Sequence, residues 1–141
     1  MRDIEFRGKV IRCEGRAAYP GYKPPIWAVG SFHKNPNGNC VITDYEDNDT
    51  YSVIPETVGE YTGLKDKNGV KIFEGDIIAW KQYADDDEIT RYSIVKYGGA
   101  SFFFSSKSGY GNPDYPISYF RTELFDVVGN IHDNPELPNV K

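Results

Sequence analysis

The chain has 141 residues and a mass of 16.0 kDa, the size of one ordinary domain, and its formal net charge at pH 7 is −5. Ile (12) and Val (10) outnumber Leu (3), Ala (6) and Met (1), so strand-forming residues dominate over helix formers and a helical bundle is excluded. The negative charge gives no general attraction to a phosphate backbone, which argues against a nucleic-acid-binding protein.

The N-terminal half of the sequence predicts four short strands separated by turn residues. Residues 4–12 alternate apolar and polar side chains, and residues 26–33, 40–45 and 51–54 follow as further strands. The Asn-Pro-Asn-Gly segment at 35–38 predicts a hairpin between the second and third strands, because Asn-Gly readily adopts positive φ. Pro55 ends the fourth strand.

The C-terminal half begins with the clearest local pattern in the chain. Two short strands, 61–65 and 70–73, flank Asn68-Gly69 and predict a β-hairpin. Further strands are predicted at 77–80, 92–97, 101–106 and 125–131. The acidic segment 84–88 and the Gly- and Pro-rich segment 107–116 are predicted as surface loops, and only 55–60 and 116–124 have room for helix.

Together these patterns predict an all-β fold with minor helix. The chain divides near residue 58, which predicts an N-terminal β subdomain (1–58) packed with a C-terminal subdomain (59–141). No apolar run approaches the ~18 residues that a membrane span needs, so we expect no membrane association. Cys13 and Cys40 lack the spacing of metal ligands or of a redox motif, which favours free thiols and a cytoplasmic protein.

No set of residues in the sequence specifies a reaction. There is no Gly-x-Ser-x-Gly elbow and no phosphate-binding loop, and the acidic segment 44–49 lacks the glycine and the glutamate of a calcium loop. We therefore predict no catalytic, metal-binding or cofactor-binding residue, and we expect the two histidines, His33 and His132, to be structural or exposed. The alternative is a hydrolase or metal enzyme in which His132, Asp133 and Asp76 meet in one pocket.

Aromatic residues supply the candidate interaction surface. A strand buried on both faces explains three consecutive phenylalanines, because neighbouring side chains point to opposite faces. The alternative is that one face presents aromatic rings to a partner, and a tyrosine-rich segment nearby adds rings of the kind favoured at interfaces. The predicted interface residues are Phe102, Phe103, Phe104, Tyr110, Tyr115 and Tyr119.

Two longer motifs are far more specific than these patterns. Residues 57–77 read TVGEYTGLKDKNGVKIFEGDI, and residues 127–137 read VVGNIHDNPEL. Both closely resemble the YopX family of small bacteriophage and prophage proteins. The opening MRDIEFRG (1–8) fits the family as well, as does Ile26-Trp27 followed by Gly30, so that the resemblance covers nearly the whole chain.

The resemblance implies that residues 59–141 form a small SH3-like barrel and that the protein works in the cytoplasm of a bacterial host. The family has no known function, so it supplies no catalytic residue, and His132 stands where the family commonly has Tyr. Its motif positions suit turns and caps. These positions are Tyr61, Thr62, Gly63, Asp66, Asn68, Gly69, Glu74, Gly75, Asp76, Gly129, Asn130, Asp133, Asn134 and Pro135.

From the residues and the resemblance together we predict a non-catalytic protein-binding or assembly module that forms a homo-oligomer. A phage protein or a host protein is a further candidate partner. The alternative to protein binding is an SH3-like module that binds nucleic acid, against which the acidic net charge argues.

Overall fold

The computed structural model describes residues 4–14, 21, 23–105 and 116–137. The chain forms two compact units, residues 1–61 and residues 62–141. Unit 1 contains four strands, a 3-10 turn and the start of a fifth strand: β1 (Phe6–Cys13), β2 (Trp27–Lys34), β3 (Cys40–Asp44), β4 (Thr50–Val53), the turn Pro55–Thr57 and β5 (Gly59–Lys65). The boundary between the units therefore falls inside β5.

The first four strands of unit 1 close into a ring. Consecutive strands pair antiparallel from β1 to β4, and β4 then returns to pair with β1, with Val10 opposite Val53 and Cys13 opposite Tyr51. The first residues of β5 continue along the same edge of β1, where Phe6 lies opposite Glu60. A closed ring of strands is a small β-barrel, in which the ring strands have neighbours on both sides.

The core of unit 1 fills this ring. Its fully buried side chains include Ala28, Ile42, Tyr51 and Val53, and both cysteines are buried there as free thiols. Gly30 allows the close approach of β2 and β3, because a Cβ atom at this position would overlap the backbone carbonyl oxygen of Thr43. Each of the four strands supplies side chains to this core: Cys13 from β1, Ala28 from β2, Ile42 from β3 and Tyr51 and Val53 from β4.

Unit 2 contains the rest of β5 and five further strands. These are β6 (Lys71–Phe73), β7 (Asp76–Ala84), β8 (Asp87–Gly98), β9 (Ser101–Ser105) and β10 (Asp126–Asn130), with 3-10 turns at Ile117–Tyr119 and Thr122–Leu124. Four of them form an antiparallel sheet in the order β10-β7-β8-β9. The sheet carries apolar clusters on both faces, since Ile78 and Val95 belong to one cluster and their neighbours Ile77 and Ile94 to the other.

The prediction of an all-β fold with minor helix is confirmed. The three 3-10 turns of the described residues all lie in the two segments where helix was expected, 55–60 and 116–124. Among all the residues that the structure describes, no helix has the length and apolarity that crossing a membrane requires. The closed ring lies in unit 1, whereas the described strands of unit 2 form an open order, so the SH3-like barrel expected for residues 59–141 stays a prediction.

The prediction of a surface loop at 84–88 is wrong. β7 runs to Ala84 and β8 begins at Asp87, so only Asp85 and Asp86 form the turn. The pairing extends to the tip, where Tyr83 lies opposite Glu88 and Ala84 opposite Asp87, and an exposed ion pair between Lys81 and Glu88 joins the two strands.

Candidate functional site: a groove at the open edge of strand β7

The first family motif holds a turn to a distant strand through Asp66. Its Oδ1 atom accepts hydrogen bonds from the backbone N–H groups of Asn68 (2.8 Å) and Val70 (2.9 Å), and its Oδ2 atom accepts one from Val127 (2.9 Å). Burial raises the pKa of the Asp66 carboxyl. These three donors and the nearby charge of Lys67 outweigh that effect, so its pKa lies below the usual 3.8. The Asp66 carboxylate therefore has a structural role in joining the turn to β10.

The second family motif is a turn organised by Asn130. Its Oδ1 atom accepts hydrogen bonds from the backbone N–H groups of His132 (3.0 Å) and Asp133 (2.9 Å), and its amide donates to Asp133 Oδ2 (3.2 Å). Gly129 lies so close to the Asn134 side chain that a Cβ atom there would overlap Asn134 Oδ1. These contacts explain the motif as a compact turn after β10.

Other motif residues also have structural roles. Thr62 Oγ1 donates to the carbonyl oxygen of Ile72 (2.8 Å), and Asp76, almost fully buried, accepts a hydrogen bond from the N–H of Phe73 (2.7 Å). Tyr61 is buried, while Glu74 is half-buried and Pro135 exposed. Three motif glycines have positive φ, which side chains other than glycine rarely adopt: Gly63 (88°), Gly69 (78°) and Gly75 (92°).

The structure places the three residues of the hydrolase or metal-enzyme alternative at the β7–β10 pairing and in the turn that follows it. Asp76 lies opposite Asn130 in the β7–β10 pairing, and His132 and Asp133 follow in the turn after β10. Asp133 is exposed and His132 half-buried. Within residues 4–14, 21, 23–105 and 116–137, no group of three or more His, Cys, Asp or Glu side chains is arranged to hold a metal ion.

The phenylalanines of the predicted interface occupy β9. Phe102 is 7% exposed and belongs to the core of unit 2, and the ring of Phe104 packs against those of Phe120 (5.3 Å between centroids) and Phe125 (5.6 Å). Phe103 is half-buried. Tyr110 and Tyr115 lie outside the described residues, as does the side chain of Tyr119.

A different surface of unit 2 offers an unoccupied strand edge. β7 pairs with β8 along its length to the pair Ala84–Asp87, but its pairing with β10 extends only to Ala79, opposite Asp126. Among the strands of the described residues, none pairs with this edge of β7 between Trp80 and Ala84. Five residues of β7 therefore present one edge that no other described strand pairs with.

A groove of about 440 Å³ runs beside this edge. We call it the β7 edge groove. Its lining combines aromatic, aliphatic and charged side chains, among them Lys67, Trp80, Lys81, Tyr83, Leu124 and Phe125. A second cavity, of about 260 Å³, lies in unit 1 beside Arg12 and Cys40 and has no comparable open edge, because it lies on the closed ring.

The apolar part of the groove has a packed base and an exposed rim. The rings of Trp80 and Phe125 pack with their centroids 6.3 Å apart, and Trp80 Nε1 donates a hydrogen bond to Ser93 Oγ (3.1 Å). At the rim, Tyr83 is 73% exposed and Leu124 is 60% exposed. Large side chains so exposed at one place are typical of a protein-binding surface.

The charges in the groove are balanced. Lys67 Nζ lies 2.9 Å from Asp126 Oδ2, and Lys81 forms an ion pair with Glu88. The hydrogen bond to Glu88 is the largest cause of the raised pKa of Lys81, so this lysine stays protonated at neutral pH. Because each cation has an acidic neighbour, the groove has no strong preference for a polyanion.

Sequence reasoning missed this groove because it depends on where β10 begins, which no local pattern specifies. A signal was nevertheless present. Tyr83 is an aromatic residue of the kind that favours strands, and it lies beyond Trp80, where the sequence prediction ended the strand.

Comparison with known proteins identifies a family and similar solved structures. The model of the YopX protein family matches residues 30–138. Among curated proteins nothing matches this chain. Among solved structures, the chain is similar to protein EF1440 from Enterococcus faecalis, with 22% sequence identity, coverage of 97% of this chain and 99% of that chain, and a TM-score of 0.49.

Proposed function

The chain belongs to the YopX protein family, and from this premise we propose that it is a polypeptide-binding module with no reaction of its own. The observation that carries the proposal is the five-residue open edge of β7 beside an apolar groove. We further propose a phage or prophage origin and a cytoplasmic site of action. These rest on the family resemblance and on the two free, buried thiols.

The mode of binding that suits this surface is strand addition. An extended segment can pair its backbone with the open edge of β7, and alternate side chains can enter the groove. Backbone pairing supplies affinity with little dependence on sequence, whereas the groove selects the side chain that it receives. The balanced charges of Lys67 and Lys81 with Asp126 and Glu88 favour a neutral, apolar or aromatic side chain there.

Selection from a displayed library of random dodecapeptides tests this proposal. We expect the enriched peptides to alternate apolar and polar residues and to lose at least about tenfold in affinity for the double variant Tyr83→Ala/Leu124→Ala, because two exposed anchors are removed. Ile26→Ala is the matched control, since Ile26 is 71% exposed in unit 1. Failure to enrich any peptide, or equal binding to the double variant, would contradict strand addition at this groove.

A further inference from the structure

We propose that the polypeptide received by the β7 edge groove is β7 of a second copy of this chain, in an antiparallel pairing centred on Gln82. This inference rests on the proposed function and names its partner. The result is a two-fold symmetric dimer in which the two β7–β8 hairpins form one continuous four-stranded sheet. In such an interface the same surface serves both copies.

The length of the open edge fits this partner. β7 has five residues beyond Ala79 before its turn begins at Asp85. In the proposed register, Trp80 of one copy lies opposite Ala84 of the other, and the second strand turns away where β10 starts. The incoming strand therefore fills the free edge without displacing β10.

The register also avoids like charges opposite one another. Gln82 lies opposite Gln82 of the second copy, and Lys81 lies opposite Tyr83 of the second copy. Like charges directly opposite each other destabilise a strand pair, whereas a lysine facing an aromatic ring is favourable. Tyr83, 73% exposed in the single chain, thereby gains an apolar environment in the partner's groove.

The hairpin tip reaches an ion pair at the ends of the pairing. The tip carries consecutive exposed acids, Asp85, Asp86 and Asp87. In the proposed register it lies beside the start of β10 in the second copy, where Lys67 is paired with Asp126 and is half exposed. Lys67 limits the repulsion between the incoming acids and Asp126, and the attraction between the copies comes from the strand pairing and from the contact of Lys81 with Tyr83.

Introducing a charge at the symmetry axis tests the dimer. We expect sedimentation velocity between about 1 and 300 µM to show a concentration-dependent dimer for the unmodified chain, and Gln82→Lys and Gln82→Glu each to raise its Kd at least about tenfold. An equimolar mixture of the two variants restores association to within about threefold, because opposite charges then face each other. The Glu variant also keeps an acceptor for the Nε–H of Arg91, which bonds to Gln82 in the single chain (2.9 Å).

The matched controls are Ile89→Lys and Ile89→Glu. Ile89 lies opposite Gln82 on β8 and is partly exposed, but in the dimer the two copies of Ile89 are three strand spacings, about 14 Å, apart. Screening at physiological salt weakens repulsion over that distance, so we expect dimerisation to change less than about twofold.

A disulfide provides an independent readout. We expect Gln82→Cys to form an intermolecular disulfide on mild oxidation, because directly opposite strand residues lie within disulfide reach, and Ile89→Cys not to form one. A strict monomer, or a dimer that is indifferent to both charge variants and unlinked by Gln82→Cys, overturns the self-pairing. Peptide selection on the groove can still succeed in that case, so failure of the dimer and failure of the proposed function are distinguishable.

Discussion

At the scale of single residues, the carboxylate of Asp66 connects three parts of unit 2. It accepts hydrogen bonds from the backbone N–H groups of Asn68 within its own turn, of Val70 at the end of that turn, and of Val127 in β10. Hydrogen bonds to a buried charged acceptor contribute more than neutral ones, and removing the acceptor leaves buried donors without partners. The DKNG segment of the family motif therefore stabilises the fold by holding its turn to β10.

Replacing Asp66 by alanine should lower the free energy of unfolding by about 2 to 4 kcal/mol, because three N–H groups lose their common acceptor. Urea unfolding at pH 7 measures the effect. Asp87→Ala is the control, since Asp87 is exposed on the hairpin arm and its loss should cost less than about 0.5 kcal/mol. Equal losses for the two variants would show that Asp66 does not fasten the turn to β10.

The lowered pKa of Asp66 also predicts a dependence of stability on pH. A group whose pKa is lower in the folded state contributes stability that is complete above its unfolded pKa, near 3.8, and that is lost as the pH falls through the folded value. We expect the wild-type chain to lose stability on acidification below about pH 4 more steeply than Asp66→Asn, which has no charge to lose. Parallel curves of unfolding free energy against pH for the two proteins would contradict this assignment.

At the scale of the elements, the sequence predicted strands best where turn residues mark their ends. The hairpin around Asn68-Gly69 is confirmed, because a glycine with φ of 78° ends a turn that Asp66 closes. The strands β7 and β8 are longer than the sequence predicted, because Asp87 and Glu88 are poor strand formers by residue type. Each nevertheless pairs across a tight turn, Asp87 with Ala84 and Glu88 with Tyr83.

The turn of the β7–β8 hairpin can be improved. Asp85 has a φ of 54°, a conformation that glycine adopts at lower cost than a residue with a Cβ atom. We expect Asp85→Gly to raise the unfolding free energy by about 0.5 to 1 kcal/mol in thermal or urea unfolding. Asp86→Gly is the matched control, because Asp86 has no positive φ and glycine there should be neutral or destabilising by up to about 1 kcal/mol. The reverse order of the two variants would refute a strained Asp85.

At the scale of the whole molecule, the charge distribution argues against nucleic acid as a partner. The net charge is −5, and in the β7 edge groove each lysine is paired with an acid. Binding to nucleic acid relies on cations that replace counterions on phosphates, so we expect no salt-dependent shift in fluorescence anisotropy with labelled single- or double-stranded DNA or RNA, even at low salt. Saturable binding that weakens as salt is raised would instead support the nucleic-acid alternative.

The sequence predicted the fold class more completely than the candidate site. The excess of Ile and Val over Leu, Ala and Met located strands, because composition and alternation are properties of short segments. Closure of β1 onto β4 and the start of β10 at Asp126 depend on residues far apart in the chain. The groove lies where the pairing of β7 with β10 ends. Its residues Trp80, Tyr83 and Leu124 belong to no common sequence motif from which the groove could be predicted.

The closed ring of unit 1 has a consequence for synthesis on the ribosome. β1 is synthesised before its partners on this edge. Val10 can pair only after Val53 has been synthesised, and Phe6 only after Glu60. At about 5 to 20 residues per second this delay lasts a few seconds, during which the apolar side of β1 is exposed in the nascent chain. Contacts so distant in sequence also slow folding in general. The barrel therefore assembles around its oldest strand, and translation past residue 60 is the event that permits closure.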